Sequence, residues 1–338
     1  MRRRDPVDAA RKRVVFMTPS LGMGGAERWI IALCRHFSMR INVLAIVTDD
    51  LRGALADEAR RAAPVLPIAA FDAMKEDVEV VIAWGLMQLP FYLKGYEGRV
   101  IGVSHGNADL AWSRNVIEGM NRVQGIERVG VSFQSARAWP ENARVIANGA
   151  EVERVLPLQS DVQTRAQFGL GEHKIALYFG RFSDEKRLNL LIAAADFLGL
   201  DWLVVLAGGP EDSLPAIATD RVKVLPPQER PGDLLGVADV FVMCSATEAH
   251  PMALTEAWLA GVPTVWMAWP LAEQIARQHP NSDMGHVLPL NATPAEIAAA
   301  IEYMDEEHFQ ELPLNAQQTA FKHYTACAMA HRWEEILL

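Results

Sequence analysis

Short apolar runs alternate with longer amphipathic stretches along most of the chain. In the first half they cover residues 13–19, 41–48, 65–68, 78–84, 99–103 and 128–132. In the second half they cover residues 175–181, 202–207, 222–225, 239–244 and 263–267. These runs are nearly continuous rather than alternating, which predicts parallel strands buried on both faces. The stretches between them carry helix signals. Leu188, Leu191, Ile192 and Ala195 share one helical face. Thr293, Pro294 and Glu296 stand at N-cap, N1 and N3 of a capping box. Pro251 suits a first helical turn, Gly261 a left-handed C-cap, and Pro263 forbids continuation. Residues 316–338 read as helical, with a short strand expected within 284–289. Strand–helix alternation of this kind predicts an α/β fold on parallel sheets.

The chain has 338 residues, half of them hydrophobic and 22% charged, enough for about two domains with sizeable cores. Asn148 and Gly149 form a turn signal at the boundary, and the polar run 151–167 reads as a linker and entry helix. A net charge of −10 argues against a nucleic-acid partner. Cys34, Cys244 and Cys327 lie far apart without ligand spacing and read as small apolar residues in a reducing compartment. No apolar run is long enough to cross a membrane, and none follows the basic start as a signal peptide requires. The first thirteen residues carry six Lys/Arg against two Asp. Residues 1–12 are expected to form a disordered arm, or one that touches anionic lipid.

The densest chemistry lies in residues 245–264, a strand end, a turn and a helix. Open α/β sheets bind ligands at such strand ends. The helix start at His250, Met252, Ala253 and Leu254 offers N–H groups to an anion. Glu248 and Glu256, eight positions apart, would repel a phosphate and suit neutral hydroxyls instead. An anion beside hydroxyls points to a sugar nucleotide. Gly180 and Arg181 end one strand, Lys186 follows five residues later, and Gly209 ends another. Two cations at a helix entry suit a diphosphate. Near the start, Gly22, Gly24 and Gly25 lie between a strand and a helix. A dinucleotide fingerprint would need a third glycine where Glu27 stands. His105 sits just past the fifth strand, and Asn107, Asp109, Trp112 and Arg114 follow as candidates for an acceptor cleft.

The Glu-x7-Glu spacing, flanked by Asp-Val-Phe-Val-x-x-Ser and Ala-Gly-Val-Pro-Thr-Val, resembles the signature of retaining GT-B glycosyltransferases of family 4. Gly24, Gly25, Ala26, Glu27 and Arg28 resemble the first turn of many members, and residues 145–149 their Val-Ile-Pro-Asn-Gly segment. Gly180, Arg181 and Lys186 match their Gly-Arg-x-x-x-x-Lys-Gly, except that Arg187 replaces the last glycine. Ala249 likewise stands where glycine is common.

The resemblance implies two doubly wound Rossmann-like domains facing across a cleft. The first would span residues 1–150 on the acceptor side and the second 151–318 around the donor, with a helix at 319–338 packing back on the first. It implies transfer of a sugar, with retention, from a nucleotide donor to an acceptor hydroxyl, without metal or other cofactor. UDP- or GDP-sugars are the expected donors. Arg181 and Lys186 would hold the diphosphate, Glu256 the ribose and Glu248 the donor hexose. The loop 226–230 would meet the base through its backbone, and His105 would sit under the sugar ring. Work in polysaccharide, glycolipid or glycoconjugate synthesis, in the cytoplasm or at the inner face of its membrane, follows from the same likeness. A GT-B nucleotide-sugar epimerase and a non-catalytic nucleotide- or sugar-binding protein are the alternatives, with a dehydrogenase behind them.

Overall fold

The computed structural model describes residues 11–107, 109–214, 217, 219–280, 282–305 and 311–338. Of the arm expected over residues 1–12, residues 1–10 lie outside the described residues, and Lys12 opens the first strand. The chain divides into two compact units, Met1–Gly149 with Ala326–Leu338, and Ala150–Thr325.

The first unit carries β1 (Lys12–Thr18), β2 (Ile41–Thr48), β3 (Val65–Pro67), β4 (Val80–Trp84), β5 (Arg99–Ser104), β6 (Glu127–Gly130) and β7 (Arg144–Val145). Its helices are α1 (Gly25–His36), α2 (Ala56–Ala62), α3 (Phe71–Met74), α4 (Leu89–Tyr92), α5 (Ala111–Met120) and α6 (Phe133–Ala136). The strands form one parallel sheet in the order β3-β2-β1-β4-β5-β6-β7. Val14, Val15, Phe16 and Met17 are all fully buried. Consecutive residues point to opposite faces, so both faces of β1 are covered, which is why its run shows no alternation.

The second unit carries β8 (Lys174–Arg181), β9 (Trp202–Gly209), β10 (Val222–Leu225), β11 (Val240–Met243), β12 (Thr264–Met267) and β13 (His286–Leu288). Its helices are α7 (Val152–Val155), α8 (Asp161–Phe168), α9 (Leu188–Ala194), α10 (Gly232–Gly236), α11 (Met252–Ala260), α12 (Pro270–Gln278), α13 (Pro294–Met304) and α14 (Glu311–His323). The sheet is again parallel, in the order β10-β9-β8-β11-β12-β13. Winding reverses between β1 and β4 in the first sheet and between β8 and β11 in the second. Connections leave in opposite directions there, opening a crevice beyond the strand ends. At this edge β8 and β9 approach closely: a Cβ on Gly208 would lie 1.8 Å from the Gly180 carbonyl oxygen, so no larger residue fits.

Local signals act largely as the sequence predicts. Gly261 caps α11 in the left-handed region (φ 74°). The Thr293 hydroxyl accepts the Glu296 N–H (3.3 Å) while Glu296 Oε2 accepts the Thr293 N–H (2.7 Å). Pro251 differs: its extended backbone makes it the N-cap residue of α11 rather than part of the first turn. The helical stretch from 316 also differs, since it breaks after α14 and resumes as α15 (Ala326–Leu337). Thr325 pairs with Ala150 in a parallel bridge, and the Ala150 N–H donates to the Tyr324 carbonyl at 2.9 Å. That pairing diverts the backbone where no Gly or Pro marks a stop.

Within the first unit, α15 lies against α1. Trp333 and Leu337 are fully buried. The Trp333 ring meets the Trp29 ring edge-on at 5.4 Å. Arg99 donates to the carbonyls of Ile336 (2.8 Å) and Leu337 (3.4 Å), satisfying acceptors that the helix end leaves open. Replacing Trp333 with Ala should therefore cost about 3–5 kcal/mol. Urea unfolding followed by the near-ultraviolet signal measures this; an unaltered midpoint would show that α15 is dispensable to the first unit's core.

Candidate functional site

The carboxyl ends of β8, β9 and β11 bring together most of the residues singled out in the second half of the sequence. Gly180 and Arg181 end β8, Gly209 ends β9, and the turn after β11 carries Glu248 and His250 into α11. The Lys186 ammonium lies 2.5 Å from Glu248 Oε1, and both side chains are largely buried, at 14% and 11% exposure. The Ser245 hydroxyl donates to the same oxygen at 2.8 Å. Lys186 and Glu248, expected to hold different parts of a ligand, thus meet one another here. An ammonium has three protons to donate, so the contact leaves Lys186 able to serve a second acceptor. Arg181 is the more open cation, 59% exposed and 3.4 Å from Glu185.

The turn that presents Glu248 is held from behind. Arg187 takes left-handed geometry (φ 49°), the one non-glycine residue to do so among those described. Its guanidinium donates to the carbonyls of Cys244 (2.8 Å), Ser245 (3.2 Å) and Leu290 (2.7 Å). The Trp269 indole donates to the Ser245 carbonyl as well (2.8 Å). Arg187 therefore replaces glycine at a glycine-like position by tying down the strand end that follows. Ala249 needs no such compensation, since its φ is not positive. Burial pushes the Cys244 thiol up to about 12, which leaves it inert as a nucleophile.

The start of α11 is uncapped by any side chain at Pro251, and Met252, Ala253 and Leu254 form its first turn. His250 is buried, with its ring 5.2 Å from Tyr324. Glu256 lies a turn further on and is 4% exposed. It meets a partner that the sequence reading missed: Arg154 Nε donates to Glu256 Oε1 at 3.1 Å. Arg154 sits in the polar run assigned to a linker, 102 positions away, and no local signal distinguishes it.

In the first unit, His105 follows β5, and its ring is flanked by Trp29 (4.7 Å) and Trp84 (5.6 Å). Gly24 and Gly25 open α1. Glu27 folds back beneath them: a Cβ on Gly24 would lie 2.4 Å from Glu27 Oε2, and Ser20 donates to Oε1 at 3.2 Å. A carboxylate at this helix start opposes a phosphate there, in keeping with the absent third glycine. Asn107 is buried, whereas Asp109, Trp112 and Arg114 are exposed. Among the described residues, no group of three or more His, Cys, Asp or Glu is placed to hold a metal ion. No helix among them is long and apolar enough to cross a membrane.

Residues 162–323 match the family model described as Glycosyl transferases group 1. Within the second unit, this match spans the whole strand-end cluster. The two parallel-sheet Rossmann-like domains are those of GT-B glycosyltransferase structures.

Anabaena HepE, solved in complex with UDP and glucose, is similar over 97% of this chain and 99% of that one, with a TM-score of 0.84 at 18% identity. Sucrose-phosphate synthase from Thermosynechococcus elongatus is similar over 96% and 98%, with a TM-score of 0.75 at 16% identity. In sequence, the N-acetyl-alpha-D-glucosaminyl L-malate synthase of Bacillus anthracis is 25% identical over 195 residues, 54% of this chain. The match spans about half (50%) of that curated relative.

Arg187 gives a signed test. Glycine would relieve a left-handed strain of about 1–2 kcal/mol. It would also remove bonds from a charged donor, each contributing about 1.5–3 kcal/mol. Arg187→Gly should therefore lower stability, read as a fall in the thermal midpoint; a rise would show that the three carbonyl contacts contribute little.

Proposed function

We propose that the protein is a retaining, metal-independent glycosyltransferase that moves a hexose from a nucleoside diphosphate sugar to an acceptor hydroxyl. The observation that carries this reading is the strand-end cluster of the second unit. Two cations, an uncapped helix start and a carboxylate converge at the β8/β11 switch point, inside the region that matches the glycosyl transferases group 1 model. The UDP and glucose bound to the structurally similar HepE favour a UDP-sugar donor.

In the reaction the bond from the anomeric carbon to the donor's β-phosphate oxygen breaks, and one to the acceptor oxygen forms on the same face. The acceptor's proton passes to the departing phosphate. Negative charge grows on the diphosphate, where Arg181, Lys186 and the N–H groups of Met252 and Ala253 stabilise it. Charge-assisted donors are worth most where water is excluded. Lys186 does this from its contact with Glu248, whose carboxylate accepts from donor-hexose hydroxyls. Glu256 accepts from the ribose, and the backbone of 226–230 meets the base. Gly180 and Gly209 keep the strand ends free of side chains for the donor. His105, fixed between Trp29 and Trp84, orients the sugar, and Gly24 and Gly25 offer backbone N–H groups to its hydroxyls. Asn107, Asp109, Trp112 and Arg114 belong to the acceptor side. The reaction proceeds in the cytoplasm or at the inner face of its membrane, in polysaccharide, glycolipid or glycoconjugate synthesis.

Incubation with a panel of UDP-, GDP- and ADP-sugars should release nucleotide slowly from one donor class, with UDP-sugars expected. Lys186→Ala and Arg181→Ala should each lower that rate by about 10²–10³. Interconversion of the sugar without acceptor would instead mark an epimerase. A melting shift with nucleotide but no turnover of any donor would mark a binding protein.

A further inference from the structure

Residues 151–156 lie between two elements assigned above to nucleotide recognition. Arg154 projects from α7 and is 9% exposed. Its Nε donates to Glu256 Oε1 at 3.1 Å, and its Nη1 donates to the main-chain carbonyl of Glu229 at 2.6 Å. One guanidinium therefore joins α11 to the loop 226–230. The loop returns the contact from its own side: Arg230 Nη2 donates to the Leu156 carbonyl (3.4 Å) and also to the carbonyl of Glu153. Gly232 closes against the same turn, where a Cβ would lie 2.4 Å from the Leu156 carbonyl oxygen. The two arginines are thus exchanged between α7 and the loop, each holding the other's backbone.

The chemistry of each partner gives this clasp a direction. A guanidinium is always charged, planar and rigid, so it transmits position as well as charge. The contact orients the Glu256 carboxyl, whose oxygens accept hydrogen bonds, which suits the paired donors of a ribose diol. The loop's carbonyl is fixed by the same planar group, so the acceptor for the sugar and the backbone for the base keep one spacing. A lysine would supply the charge and three donors, but from one nitrogen on a flexible stem, so it would not hold the two acceptors at the fixed spacing of a planar fork.

We infer that Arg154 sets the nucleoside specificity of the donor site, by fixing Glu256 toward the ribose hydroxyls and the 226–230 backbone toward the base. The inference rests on the glycosyltransferase reading. Arg154 acts through Glu256 and the loop, as a positioning residue. Arg230 contributes to the base side alone, since it anchors the loop without touching Glu256.

Calorimetric binding of UDP, 2′-deoxy-UDP, 3′-deoxy-UDP, GDP and ADP to wild type, Arg154→Lys and Arg230→Ala tests this. Wild type should discriminate among bases and against the deoxyribose forms. Arg154→Lys keeps the charge and loses the fork. It should bind the preferred diphosphate roughly tenfold more weakly, the loss of a charge-assisted bond. Its discrimination against both the deoxy forms and the wrong bases should shrink. Arg230→Ala should narrow base preference while keeping ribose preference. In turnover, Arg154→Lys should raise the donor KM by a similar factor while kcat falls by less than about twofold, the mark of lost ground-state binding.

If Arg154→Lys lowers the melting temperature yet keeps wild-type ratios between nucleotides, Arg154 only supports the fold and the inference fails. If wild type binds none of these nucleotides, both readings fall, and the wild-type trace alone reveals it.

Discussion

A lysine and a glutamate that meet at 2.5 Å, each mostly out of water, hold together the carboxyl edge of the second unit's sheet. Removing both charges from solvent costs free energy, and their attraction offsets it only where further bonds are made. Ser245 supplies one such bond to Glu248. The Ser245 carbonyl is in turn fixed by Arg187 and Trp269. The pair can exist because the strand end that carries Glu248 cannot swing away. The lysine side is fixed too, since the carbonyl of Glu185 accepts the Ala246 N–H at 2.7 Å.

Large aromatic residues extend this restraint through the core beneath. The Met284 carbonyl accepts from the indoles of Trp258 (2.9 Å) and Trp266 (3.1 Å) and from the Thr264 hydroxyl (3.0 Å). These donors would be costly to bury unpaired. Converging on one carbonyl, they lock the segment before β13 against α11 and β12. The first unit uses aromatic rings differently. There Trp29 links His105 on one side to Trp333 on the other, by ring contacts.

How far this was legible in the sequence depends on the range of the interaction. Strands were legible because parallel sheets demand unbroken apolar runs, and caps such as Thr293 and Glu296 because their chemistry is local. Arg181, Lys186 and Glu248 were legible as strand-end residues, but not the pairing of Lys186 with Glu248 across 62 positions. Arg154 was hidden altogether: nothing nearby tells a buried arginine from a solvated one, and its partner lies in another helix. The break between α14 and α15 was hidden for the same reason, since a bridge to Ala150 makes it rather than a helix-breaking residue.

The return of α15 to the first unit has a consequence for the order in which the protein matures. A chain leaving the ribosome presents residues 1–149 early, yet the helix that covers Trp29 is made after the whole second unit. Until then Trp29 on α1 lacks the ring that Trp333 lays against it in the finished unit. The second unit has no such debt, because every strand and helix of its own is already in hand when Thr325 emerges.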